Sequence, residues 1–329
     1  MIKLKKFTGV LLAFIFVLST FFPLVGGDSA SAATISSKDF KVSSPKVVTK
    51  KEYEDLAVDK KGATRSLSAK ESREFQKLVE KEYFKNQKKN TIYTKKGQSN
   101  LNSKGMTAKA KAPVNFLRVE HLTVFDATKK TITISSKIVE MTGKKPVVIW
   151  TGSKLYAGTG LYGKYTQVIK YDTKWQGTDI KIGKKTSKTY NNKTTHFYQT
   201  RSRTTAGWTG SGTKTSDGET EEVLVNKKTV TYPEIYNSHN RTTMWTPTKA
   251  DIKVVPKDKR TKRDTNLKRK FRTWYIKQYG DPGWGATWPG LQAHHELPLE
   301  YGGTNSMSNV FPLTEDLHWN TVSPWWKAY

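Results

Sequence analysis

The chain has 329 residues, 57 Lys and Arg against 28 Asp and Glu, and no cysteine, which excludes disulfides, thiolate catalysis and thiolate metal ligation. Its formal charge of +29 favours polyanionic partners: nucleic acid, anionic wall polymer or anionic membrane. A mean hydropathy of −0.67 implies linker within the chain, and 12% aromatic residues exclude a wholly disordered polycation.

Lys3, Lys5 and Lys6 precede an apolar run from Phe7 to Val25, and Ala30-Ser31-Ala32 fits the small-x-small cleavage rule. Residues 1–32 therefore read as a signal peptide. An uncleaved anchor is the rival, since the run is nearly long enough to span a bilayer. Pro23, Gly26 and Gly27 favour cleavage. The expectation is a secreted, extracellular protein with no stable membrane span after cleavage.

Residues 33–113 read as a charged leader. Ser68-Ala69-Lys70-Glu71 is a capping box, and Phe75, Leu78, Val79 and Tyr83 recur at helical spacing. One helix near 69–88 is expected, followed by a linker that ends at Met106–Pro113. The rest of the leader reads as a spacer.

Between 114 and 255 helical periodicity disappears. Ile132, Ile134 and Ile138 share strand parity. Val147–Trp150 reads as a short strand closed by Gly152, and Tyr165–Tyr171, Asp179–Ile182 and Val223–Val225 as further strands. Short strands at roughly regular spacing predict an antiparallel sandwich or barrel. His121, His196 and His239 have no ligand-like spacing and read as ordinary surface or core residues.

Residues 257–272 hold nine basic residues against Asp258 and Asp264. Leu267, Phe271, Trp274 and Tyr275 predict a helix over Asp264–Tyr279, stopped by Gly280-Asp281-Pro282-Gly283. Basic residues beside aromatics suit phosphate binding. Lys268, Arg269 and Arg272 are the nucleic-acid-binding candidates, and a merely solvated helix face is the alternative.

The chemistry concentrates in residues 290–326, which contain His294-His295, Gly302-Gly303-x-Asn305, Asn309 and His318. Leu291–Glu296 predicts a strand, Gly302-Gly303 a turn tolerant of positive φ, and Val310-Phe311 the returning strand. Thr314 suits a helix N-cap, with Glu315 and Asp316 in the first turn and His318 one turn in. Such a hairpin and helix bring His294 and His318 to one point. His295 then faces the other way, because successive strand residues alternate.

This segment resembles the HNH nuclease family, the ββα-metal group, and in particular the nuclease domains at the C-termini of secreted bacterial toxins. The resemblance covers about the last 70 residues. It implies that His294 and His318 are metal ligands, that His295 is the general base activating water, and that Asn309 holds the loop that aims His295. It also implies a divalent cation, with zinc, nickel, manganese and magnesium all open. Val322 stands where related toxins carry a further histidine, so the resemblance implies two imidazoles, with the other positions left to water, substrate phosphate or another side chain, as in an open catalytic site. The expected fold is α+β: signal peptide 1–32, charged leader 33–113, β-rich domain 114–255 and HNH nuclease domain 256–329. The expected activity is phosphodiester hydrolysis in DNA, with RNA left open. An antibacterial toxin with an acidic immunity protein is the leading role. The rivals are a secreted scavenging nuclease and a non-catalytic binder of polyanion or cell wall. Contiguity of the basic helix and the hairpin predicts that a fragment beginning near Val254 folds and cleaves alone.

Overall fold

The computed structural model describes residues 39–42, 48–58, 68–85, 91–93 and 115–329. The expected signal peptide and the linker at 106–113 lie outside these residues. In chain order the first elements are β1 (Phe40–Val42), β2 (Val48–Val58), α1 (Ala69–Phe84), β3 (Thr91–Tyr93), β4 (Asn115–Asp126), β5 (Thr131–Thr142), β6 (Val148–Gly158) and β7 (Lys164–Gln176). They are followed by β8 (Lys185–Asn191), β9 (His196–Trp208), β10 (Gly212–Glu219), β11 (Val223–Val225), β12 (Ile235–Asn237) and β13 (Thr242–Thr243). The last are α2 (Leu267–Tyr279), β14 (Leu291–His295), β15 (Val310–Thr314) and α3 (Ser323–Lys327). The mixture of antiparallel sheets and helices is α+β, as expected.

Two antiparallel sheets carry the middle of the chain. One has the order β2-β4-β5-β8; the other runs β10-β9-β6-β7-β3, with β11 also pairing β9. They pack face to face, and the hydroxyls of Thr173 on β7 and Thr186 on β8 meet at 3.1 Å where two edges approach. β4 buries every second residue, from Asn115 through Leu117, Val119, His121 and Thr123 to Phe125. The interior holds two apolar clusters. Leu117, Val119, Ile138, Ile149 and Trp208 belong to one, and Phe125, Ile132, Ile134, Leu155 and Tyr198 to the other. Polar side chains are also buried in this interior: His121 lies 2.9 Å from Ser136 Oγ and 3.1 Å from Thr204 Oγ1. It is a satisfied core histidine.

Three local expectations change. First, the leader is more than a spacer. β2 pairs with β4 over eleven positions, β3 pairs with β7, and β1 pairs with β12. Second, β6 continues past Gly152. That residue lacks a side chain because a Cβ would strike the Tyr83 hydroxyl of α1 and the Tyr171 carbonyl of β7. Third, Asp179–Ile182 is not a strand. Gly177–Asp179 makes a 3₁₀ turn, and Gly177 and Gly183, both at positive φ, bend the chain toward β8. The capping box appears as read: Ser68 N–H donates to Glu71 Oε2 at 2.8 Å and Glu71 N–H to Ser68 Oγ at 3.3 Å.

The C-terminal elements share one large core with much of the rest. Phe40, Tyr165, Phe197, Tyr232, Tyr275 and Trp325 all belong to it. Polar contacts reinforce the join: Trp325 Nε1 donates to the Val230 carbonyl at 2.9 Å, and Asn226 Nδ2 to the Trp325 carbonyl at 3.1 Å. Among the described residues no helix is long and apolar enough to cross a membrane.

Candidate active site

β14 and β15 form an antiparallel hairpin in which His294 faces Phe311 and His295 faces Val310. Asn309 clamps the connecting loop. Its Oδ1 accepts from Leu297 N–H at 3.0 Å, while its Nδ2 donates to the carbonyls of Leu297 at 3.1 Å and Thr304 at 2.8 Å. One side chain thus ties the start of the loop to its end. Gly302 adopts φ +91°, the freedom expected of it. Gly303 serves a different need: a Cβ there would collide with the Leu297 carbonyl and crowd Asn309 Nδ2.

His294 and His318 come together. Their ring centroids are 5.1 Å apart at 72°, and the side chains are 6% and 8% exposed. His294 Nε2 and His318 Nδ1 are both buried with no hydrogen-bond partner. Native proteins rarely leave such groups unsatisfied, so the pair could hold a ligand. His318 sits in a π-helical turn, Leu317–Val322, which continues into α3. Such widened turns recur at functional sites. The Thr314 hydroxyl accepts from Leu317 N–H at 3.3 Å, the expected cap. Val322 is fully buried in the apolar core.

Burial is the first cause that pushes the His294 pKa down, to about 3, with His318, His295 and Arg263 adding to it. Burial and then Arg263 lower His318. Both rings are therefore neutral, the form that binds a metal. Two neutral imidazoles with partnerless nitrogens fit a divalent cation of the borderline class. Among the described residues no group of three His, Asp or Glu side chains forms. Water and phosphate oxygens would fill the remaining positions, as in an open catalytic site.

His295 takes the other face of β14, as alternation requires. It is 6% exposed, and its Nε2 lies 3.0 Å from Asn305 Oδ1. Asn305 Nδ2 donates to the Lys262 carbonyl at 2.8 Å, which fixes the amide with its oxygen toward the histidine. The hydrogen of neutral His295 is therefore on Nε2, and Nδ1 keeps the lone pair. Burial lowers its pKa, opposed by the Asn305 bond and aided by Arg263.

No protein-family model, curated protein or solved structure matches this chain.

The cation common to all three histidines is Arg263, which precedes α2. It is exposed, and among the described residues it pairs with no carboxylate. Lys268 and Arg269 are exposed on α2, and Arg272 is partly buried. α2 starts three residues later than expected because Asp264 closes the preceding turn, accepting from Asn266 N–H at 2.8 Å and pairing with Lys270 at 2.6 Å. Arg263 and Asn305 are the two site residues that sequence reasoning did not assign. The first was hidden within a basic run, the second within a turn motif. Of the C-terminal tryptophans, Trp284, Trp288, Trp325 and Trp326 are core, whereas Trp319 is 56% exposed beside His318.

Proposed function

We propose that this chain is a metal-dependent HNH endonuclease that hydrolyses phosphodiester bonds in DNA. The observation that carries the reading is the pair of partnerless imidazole nitrogens on His294 and His318, set beside a third histidine whose lone pair is on Nδ1. His294 and His318 would hold a divalent cation, which when bound supplies Lewis-acid stabilisation of phosphate charge. His295 Nδ1 takes a proton from water as the water oxygen attacks phosphorus. The bond from phosphorus to the leaving oxygen then breaks, and that oxygen takes a proton from solvent. Asn305 holds the His295 Nε2–H and so keeps the base in the right tautomer. Arg263 supplies fixed positive charge for the phosphate oxygens, an electrostatic role. Asn309 maintains the loop between His295 and Asn305.

The basic run 257–272 leads straight into this site, which supports a polyanionic substrate. The resemblance of residues 290–326 to toxin nucleases supports an exported antibacterial toxin, for which an acidic immunity protein is the fitting partner. Nicking of supercoiled plasmid with added zinc, nickel, manganese or magnesium tests the reading. Cleavage by the parent and none by His295→Ala is expected. A parent that leaves the plasmid intact with every metal overturns it.

A further inference from the structure

A second cleft adjoins the histidine site, with a volume of about 550 Å³. Glu296, which follows His295, and Asn309, which clamps the loop after it, form part of its lining, so the cleft neighbours the candidate active site without including its histidines. Aromatic rings dominate the rest. Trp274 and Tyr279 come from α2, and Trp245 from the segment after β13. Two of these rings are presented to solvent: Trp245 is 38% exposed and Tyr279 40%.

The backbone of Trp245 is pinned on both sides. Its N–H donates to Glu296 Oε1 at 2.7 Å, and its carbonyl accepts from the Tyr232 hydroxyl at 3.0 Å. The Tyr279 ring rests on Tyr275 at 5.0 Å and meets Trp274 edge-on at 5.8 Å. Several aromatic rings of this chain are exposed, and these two share one cleft on fixed supports. Asn240, Thr242 and Ser308 add hydrogen-bonding groups to the lining. Flat apolar faces with a polar fringe match a nucleobase, which has a π-face and a hydrogen-bonding edge. Glu296 directly follows His295, which puts a wall of this cleft one residue from the proposed base. A stacked base pair in a duplex cannot present its face to a side chain, so the base must be unpaired or flipped.

We propose that the cleft receives one unpaired nucleobase of the substrate strand, stacked on Trp245 and Tyr279, so that the protein prefers single-stranded or distorted DNA to regular duplex. The proposal rests on the phosphodiesterase reading above, and its test is independent of cleavage.

The full chain is titrated, with metal chelated, against short single-stranded oligonucleotides carrying one 2-aminopurine, and against the same strands with an abasic site at that position. The parent should quench 2-aminopurine at one favoured position. An abasic site there should weaken binding about tenfold, on the scale of one base–aromatic stack. Trp245→Ala and Tyr279→Ser, both at exposed rings, should each weaken binding of the intact strand about tenfold and make it insensitive to the abasic site. Duplex affinity should stay within about twofold, since phosphate contacts dominate it. Equal affinity of parent and variants for the single strand, or no cost of an abasic site at any position, overturns the proposal. Plasmid nicking by the parent is scored separately. Base capture without nicking defeats only the hydrolase reading, and nicking without base capture defeats only the cleft.

Discussion

Nε2 of His295 lies 3.0 Å from Oδ1 of Asn305, and the same Asn305 amide donates to the Lys262 carbonyl at 2.8 Å. The loop after β14 and the basic segment before α2 are thereby joined through Asn305, the residue that also holds the proposed base. Asn305→Ala removes the acceptor and frees the tautomer. It should lower kcat by about 10–100-fold, the usual cost of losing an orienting partner. Metal affinity should not change, because His294 and His318 are untouched. Steady-state nicking together with calorimetric metal titration checks this; an equal loss of metal affinity would make Asn305 part of the metal site.

The two classes of histidine should separate by stability. A ligand that binds only the folded state at about one hundred times its Kd adds about 2.7 kcal/mol. Zinc at that level should raise the stability of the parent and of His295→Ala alike. It should do nothing for His294→Ala or His318→Ala. Chemical denaturation with and without zinc measures the difference. Stabilisation that survives loss of His294 would place the metal elsewhere.

Arg263 and the cations of α2 should behave differently. Arg263→Gln removes the positive charge that acts on all three histidines and, on the proposed function, should lower kcat on saturating DNA by about 10²-fold, as loss of one electrostatic stabiliser does. Replacing Lys268, Arg269 and Arg272 together with Gln should instead flatten the plot of log affinity against log salt by about two to three units, at about 0.9 per phosphate contact. Their kcat should fall much less. A salt titration of binding without metal, set beside saturated rates, distinguishes the two effects. An unchanged slope would assign α2 to another polyanion.

Gly303→Ala tests the loop. The added methyl meets the Leu297 carbonyl, which is backbone and cannot turn aside. A cost of about 1–3 kcal/mol is expected from such overpacking, seen as a lower denaturation midpoint. Activity should fall further than stability, because Leu297 and Asn309 set the path between His295 and Asn305.

A fragment beginning at Val254 loses the partners of its own core. Trp325 parts from Tyr232, whose ring meets it at 4.7 Å, and from the Val230 carbonyl; Trp284 parts from Phe40 at 5.9 Å. The fragment should show no cooperative thermal transition where the full chain does, contrary to what contiguity along the sequence implies. Calorimetry of the two proteins checks it, and a sharp transition in the fragment would show a self-sufficient domain.

Local order along the chain was sufficient for α1 and its capping box, for the α2 core of Leu267, Phe271 and Tyr275, and for the histidine hairpin. In each, the signal lies within a few residues: a cap, a 3.6-residue period, or a strand whose neighbours face opposite ways. β4 escaped such reading because its buried row includes His121 and Thr123, polar residues that only partners on other strands can satisfy. β6 passes through Gly152 because α1 and β7 need the room, a reason absent from the residues around it. The same holds at the site. That His294 and His318 meet follows from the hairpin and cap, whereas the placing of Arg263 and Asn305 depends on how the segment before α2 lies against the loop. The join between the last 76 residues and the sheets was likewise a tertiary matter, since apolar side chains bury against whatever surface the whole fold presents.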